Sequence, residues 1–429
     1  MLLIYTQKIT PRIDYVFKHM CTRILGIKIG FTTVIEEFIA HSGPKLSYGK
    51  QAMGNELFVQ SFGLLQQQGF EDVEVVVKKW NDSPCFFSVS DKSSIPFDIF
   101  SAAFYLMSRY EEYLPHVKDE LGRFPASQSL AFKEGFLEQP VVDIWAYEFK
   151  KVLAQIFPSL VFPKQQMKIH TLVNAQVPFL YTQRGPLRSF VGYCRDLGKF
   201  RMKSFWIRTQ VLLGFKKDPH AVFEWLVETS KESTHMLSVF FMLGDPLHFR
   251  NSFNTRRKKF KSIIKYVGDY KEVGLIASLG ASQSLDEIKK EKQRLEEITY
   301  RSLQKAMIEE FSLDLPEFYR SLLELEINEE YSMVYPHTVG FRASTCIPFL
   351  FYDCDYETKT PLEIQPIVAT TLAFQNEDVS LKMEELLRSV NSINGTFSIL
   401  FDIENFTKTS KNNSWRNLFT MLQTYELNR

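Results

Sequence analysis

A chain of 429 residues is longer than one ordinary hydrophobic core organises, so two domains are expected. Hydrophobic residues make up 45% and charged residues 24%, which excludes a disordered chain. Lysine and arginine number 51 against 50 acids, a formal net charge of +1, so no global attraction to nucleic acid or an anionic membrane is implied.

The five cysteines, Cys21, Cys85, Cys194, Cys346 and Cys354, form no C-x-x-C pair. Free thiols in a reducing compartment are expected. Residues 1–10 lack the basic start and long apolar run of a secretory signal, and no stretch reaches the roughly 18 apolar residues of a membrane span. The expectation is a cytoplasmic protein with no membrane span and no nucleic-acid partner.

In chain order, Ile24–Phe31, Val73–Val77 and Cys85–Val89 read as strands of a small α+β unit. From Asp98, apolar residues at helical spacing (Ile99, Phe100, Ala103, Phe104, Met107) predict a helix continuing to Tyr113. The loop Asp119-Glu120-Leu121-Gly122-Arg123-Phe124 carries charges that would pin it by ion pairs. Val141-Val142-Asp143-Ile144-Trp145 opens a helix reaching about Gln155.

Beyond residue 166 strands and helices alternate, the pattern of βα units. Met167–Val173, Met236–Leu243, Val273–Ser278, Ile347–Tyr352, Ile364–Val368 and Gly395–Asp402 read as strand-forming stretches. Residues 222–230, 251–267, 285–298, 316–325 and 379–390 read as helices. The segment Arg184–Gly214 is basic and aromatic; it reads as a solvated helical face with its aromatic stems packed inward. The run Arg256-Arg257-Lys258-Lys259 reads as surface.

Several stretches carry a resemblance, among them Ile95-Pro96-Phe97-Asp98, Asp119–Phe124, Glu272–Leu275, Pro316–Arg320 and Gly395–Leu400. Ser108-Arg109-Tyr110-Glu111-Glu112-Tyr113-Leu114, Pro140-Val141-Val142-Asp143-Ile144-Trp145 and Gly340-Phe341-Arg342-Ala343-Ser344-Thr345-Cys346 occur in an order that resembles a bacterial two-domain polysaccharide deacetylase-like family. The resemblance implies an N-terminal α+β domain over 1–160 and a NodB-type deacetylase domain over 166–429. The latter would be a distorted (β/α) barrel of about seven strands, with its site at the C-terminal strand ends.

The family's chemistry is hydrolysis of an acetylated sugar by a divalent metal such as zinc, with an Asp base and a His acid. Its Asp-x-Asp-His-Pro stretch falls on Asn174-Ala175-Gln176-Val177-Pro178. Its other histidines and their neighbours fall on Ile276, on Leu303-Gln304-Lys305 and on Phe401-Asp402. Neutral amides cannot act as bases near neutral pH, and valine and isoleucine have no donor atom. The resemblance therefore implies a site degenerate at Asn174, Gln176 and Asp402, with no metal ligand and no cofactor. The pocket would be lined by Asn174, Gln176, Val177, Ile276, Ser278, Gln304, Lys305, Arg342, Asp402 and Glu404, with a Lys305–Asp402 ion pair replacing the metal cluster.

The reading that follows is a polysaccharide deacetylase-like protein that is catalytically inactive and binds carbohydrate or scaffolds a complex. Its partners would be a polysaccharide or acetylated sugar, or another protein. The alternative is an active carbohydrate deacetylase or hydrolase with a rearranged site using Asp402 or Glu404.

Overall fold

A computed structural model of the chain describes residues 1–248, 252–374, 378–408 and 412–426. The first strand, β1 (Leu2–Tyr5), turns Leu2 and Ile4 into the core. It pairs in parallel with β2 (Ile29–Thr32) and β3 (Lys45–Gly49), and β3 pairs with β4 (Leu57–Gln60). A wholly parallel sheet needs crossovers, and the helices Pro11–Phe17 and Ile35–Ala40 lie between its strands. The N-terminal part is thus built on an α/β pattern, which corrects the α+β expectation. A short antiparallel hairpin follows, β5 (Lys78–Trp80) with β6 (Ser83–Cys85).

Several expected elements shift. Residues 18–24 are helical, and the strand predicted from Ile24 begins only at Ile29. Residues 73–77 form no strand, and Cys85 ends a strand instead of starting one. The basic helix predicted over 251–267 is Lys258–Tyr270, and residue 251 lies outside the described residues. The strand predicted over 364–368 is Thr358–Ile364.

The second sheet contains β7 (Lys168–Asn174), β8 (Met236–Met242), β9 (Glu272–Ala277), β10 (Lys305–Ile308), β11 (Glu329–Glu330), β12 (Phe349–Asp353), β13 (Thr358–Ile364), β14 (Ala369–Thr370) and β15 (Thr396–Asp402). Their order is β12-β13-β11-β10-β9-β8-β7-β15-β14, parallel except for β12 against β13. Nine strands stand where about seven were expected, and among the described residues no pairing joins the edge strands β12 and β14. Leu172, Phe240, Ile276, Met307 and Leu400, from the neighbouring strands β7, β8, β9, β10 and β15, share one buried apolar cluster with Tyr331, which follows β11. A second, larger core runs through both parts of the chain without a break at residues 160–166.

The helix predicted from Asp98 forms, with the Asp98 carboxylate capping it by accepting from the Ser101 N–H at 3.0 Å. It ends at Met107 and not at Tyr113, because Arg109 adopts a left-handed backbone (φ 55°). That turn sends the Arg109 guanidinium into the interior, where it donates to Glu112 at 2.7 Å, to Glu111 at 2.8 Å and to the Tyr335 hydroxyl at 3.1 Å. It also donates to the carbonyl of Arg342. Arg342 in turn grips Glu112 through two hydrogen bonds, 3.0 and 2.7 Å. Burial opposes ionisation of Glu112, but the charges of Arg342 and Arg109 win and hold its carboxyl at about 2. Nearby, buried Asp143 accepts from the Thr345 hydroxyl at 2.8 Å and the Cys346 N–H at 2.7 Å. The 108–114 and 140–145 stretches therefore each bond to the 340–346 stretch, which ties the N-terminal part to the segment between β11 and β12.

Replacing Glu112 with Gln leaves two buried guanidiniums under-compensated, and we expect a loss of about 3–5 kcal/mol in urea unfolding. Glu224→Gln, which breaks an exposed pair with Lys217, should stay within about 0.5 kcal/mol. Because Glu112 is depressed from 4.5, its contribution is full above that pH and is lost as pH falls through about 2. A Glu112→Gln shift no larger than that of Glu224→Gln would contradict this account.

Candidate functional site

The strand ends of β7 and β15 are in register, with Asn174 opposite Asp402. Ile276 stands level with Met242 on one side and Met307 on the other. These ends rim a cavity of about 580 Å³. Its floor is apolar, with Ile276, Met307, Phe311 and Leu400. Its charged lining comprises Glu309, Glu310, Asp402 and Glu404 together with Arg184, Arg195 and Arg201.

Of the residues expected here, Asn174, Gln176, Val177, Ile276, Asp402 and Glu404 line the cavity. Four do not. Lys305 is the first residue of β10, not its end, and its ammonium lies 3.6 Å from Glu329 at the start of β11. Gln304 bonds Ser302 and Asn328 at that same N-terminal end. Asp402 is paired with Asn174, whose Nδ2 donates to it at 3.0 Å, so the expected Lys305–Asp402 pair does not form. Arg342 belongs to the buried Glu112 network. Ser278 turns away from the cavity and donates its hydroxyl to Glu291 at 2.6 Å.

β10 ends at Ile308, and the carboxylate at its exit is Glu309, four residues beyond Lys305. This carboxylate is buried and accepts three hydrogen bonds: from Gln176 Nε2 at 2.6 Å, from the Leu247 N–H at 2.8 Å and from the Leu279 N–H at 3.1 Å. One side chain thus holds the segments that follow β7, β8 and β9. Burial raises its carboxyl above the ordinary range, against the pull of the donors. The next two residues, Glu310 and Phe311, both have left-handed backbones (φ 55° and 54°). Arg123 pins this turn by donating to the Glu310 carbonyl at 2.8 Å, and the Ser312 hydroxyl donates to the Leu121 carbonyl at 2.7 Å. The charged loop expected to fold on itself does so through Arg123 and Asp119, 2.7 Å apart, and it also clamps the cavity rim.

An imidazole outside the expected set of site residues, His220, also reaches the cavity. Asp218 accepts from the N–H groups of Leu180, Tyr181, Thr182 and His220, so it ties residues 218–220 to the segment after β7. His220 Nδ1 lies 2.5 Å from the Val177 carbonyl, which can only accept, so Nδ1 carries the proton and Nε2 bears the lone pair. Burial keeps this imidazole below its ordinary pKa and therefore neutral near pH 7.

Asp402 is half-buried, with Glu404 and Glu310 nearby. Withdrawal from water and those two charges push its carboxyl up to about 7, although Asn174 and Thr371 pull the other way. Its own backbone N–H donates to Asn405 Oδ1 at 2.8 Å, which fixes the turn after β15.

These groups do not suit a divalent cation. Val177 and Ile276 offer no donor atom, and the central carboxylate, Glu309, has its oxygens turned toward N–H groups. Among the described residues no three His, Cys, Asp or Glu side chains converge as a metal site.

Residues 2–158 match the model of a family of unknown function, DUF7033. No curated protein matches the chain. Its structural neighbours include CE4 polysaccharide deacetylases and pseudoenzymes at low identity. A Mycobacterium smegmatis protein classed as a polysaccharide deacetylase is 10% identical, with a TM-score of 0.37, over 62% of this chain and 87% of that one. A CE4-family pseudoenzyme from Bacillus anthracis is 9% identical, with a TM-score of 0.32, over 61% of this chain and 62% of that one. A 4-alpha-glucanotransferase from Thermococcus litoralis is 15% identical, with a TM-score of 0.34, over 61% and 36%. Likenesses this weak fix neither a ligand nor a reaction.

The raised carboxyl of Asp402 gives a pH test. Between about 4 and 7 the folded protein keeps a proton on this group that the unfolded chain releases, so its contribution to stability falls as pH rises through that window. In Asp402→Asn, the fall in unfolding free energy from pH 4 to 7 should be shallower than in the wild type. An unchanged slope would show that Asp402 ionises normally.

Proposed function

We propose that this chain is a deacetylase-like carbohydrate-binding protein that does not catalyse metal-assisted deacetylation, and that its ligand is a saccharide held in the strand-end cavity. The observation that carries this reading is the occupation of Glu309. Where the family's chemistry calls for carboxylates facing a cation, this carboxylate accepts hydrogen bonds from Gln176 and two backbone N–H groups. No cofactor is required for binding of this kind. Asn174, Gln176, Asp402 and His220 Nε2 offer both donors and acceptors to sugar hydroxyls, and Phe311 with Ile276 offers an apolar face to a ring. The two-part division near residues 160–166 is kept in this proposal, with the N-terminal part supporting the cavity rim through Arg123.

One observation favours a second reading, an active hydrolase. A carboxyl raised to about 7 is suited to general acid or base work, and Asp402 has Glu404 beside it. Protonation of Asp402 would then be part of a reaction and not only of ligand recognition.

Calorimetric titration with N-acetylated oligosaccharides separates the two. We expect saturable binding, weakened about tenfold in Asn174→Leu through loss of a polar contact, and no acetate release with or without added zinc. Acetate release or glycosidic cleavage that disappears in Asp402→Asn would overturn the first reading in favour of the second. Absence of binding to any acetylated or deacetylated oligosaccharide would remove the carbohydrate assignment.

A further inference from the structure

The segment between β7 and the Phe223–Thr229 helix is a pair of helices, Pro186–Gly198 and Met202–Leu212, with its polarity reversed. Where the two helices face each other, they bury an ion pair: Arg208 donates to Asp196 at 3.0 and 2.8 Å. Gly192 makes room for it, since a Cβ there would lie 2.3 Å from the Arg208 guanidinium. The outward side is apolar. Leu187, Phe190, Val191, Cys194 and Leu197 recur at i, i+3, i+4, i+7 and i+10, the spacing of one helical face. All five are exposed. Phe200 at the turn is 89% exposed, Phe215 78%, Leu187 74% and Trp206 59%. Of the aromatic stems expected to pack inward, Phe190, Phe200 and Trp206 point into solvent, while Tyr193 and Phe205 pack against each other beside the Asp196–Arg208 pair.

Charge identifies the occupant of this face. Residues 184–217 contain nine Lys or Arg and one acid, the buried Asp196, in a chain whose net charge is only +1. Lys199, Lys203, Lys216 and Lys217 are exposed around the apolar side chains. A nucleic-acid partner would use the charge and leave most of the apolar area uncovered. A face of Phe, Trp and Leu rimmed by lysines uses both at once at the boundary between acyl chains and anionic headgroups. We propose that this helical pair docks the protein on an anionic lipid bilayer, lying in its interface without crossing it. The same pair forms one wall of the strand-end cavity through Arg195 and Arg201, so docking sets the cavity mouth beside the lipid headgroups.

Co-sedimentation of the full chain tests this with two kinds of vesicle: pure phosphatidylcholine, and phosphatidylcholine with about 30 mol% phosphatidylglycerol. The expected result is partition onto the anionic vesicles, weak partition onto the neutral ones, and a blue shift of tryptophan fluorescence that is lost in Trp206→Phe. Lys199→Gln with Lys203→Gln should lower partition about 25-fold, from roughly fivefold per lysine near an anionic surface. Phe200→Ser with Trp206→Ser should abolish it. These side chains are exposed, so an unchanged circular dichroism spectrum and unfolding temperature identify variants that still fold. Failure of the wild type to bind anionic vesicles, or binding that survives both double substitutions in folded protein, overturns the proposal. Preference for a single-stranded oligonucleotide over the anionic vesicles overturns it as well.

Discussion

The segments that leave β7, β8 and β9 converge on the carboxylate of Glu309. Four consecutive strands, β7 to β10, end around it, and three of the segments that leave them are held by donating to its two oxygens. This is the reverse of a metal centre. There, carboxylates and imidazoles converge on a cation and give it their lone pairs. Here three N–H groups converge on an anion and take up three of its roughly four acceptor positions. The exchange explains why Gln176 stands where a ligand was expected: a carboxylate at that position would repel Glu309, whereas an amide donates to it.

The rim is also set from the N-terminal part. Glu310 and Phe311 hold a costly left-handed pair of conformations directly after β10. Arg123 and the Leu121 carbonyl secure that turn from the charged loop. Deeper in, Arg109, Glu112 and Arg342 join the same two parts through buried charge. Site geometry and attachment of the N-terminal part are therefore one problem in this protein, because displacing the 119–124 loop would release the β10 exit.

How much of this could be read from sequence varied with the length of the signal. β7, β9 and β15 are six or seven residues long, so their positions were recognisable, and β7 and β15 end in the cavity-lining Asn174 and Asp402. β10 has four residues and begins with a lysine, which hides the apolar core Ala306-Met307-Ile308. Missing it moved the expected site from Glu309 back to Gln304 and Lys305. Arg342 was placed in the cavity because its stretch is distinctive, yet that distinctiveness comes from its bond to Glu112, 230 positions earlier. His220 carried a local hint in Asp218-Pro219-His220, but no ligand spacing marked it; only the fold brings it to Val177. The exposed aromatics between 190 and 215 depended on which side of two helices met, and that was decided by one buried ion pair.

The central claim, a strand-end site organised by a carboxylate in place of a cation, is tested most directly by metal content. Protein purified without chelator and dialysed against zinc, cobalt, manganese and nickel should retain far less than one equivalent of any of them. Its unfolding temperature should be the same with added zinc as with a chelator. Stoichiometric metal that stabilises the fold and is lost in Glu309→Gln would contradict the account.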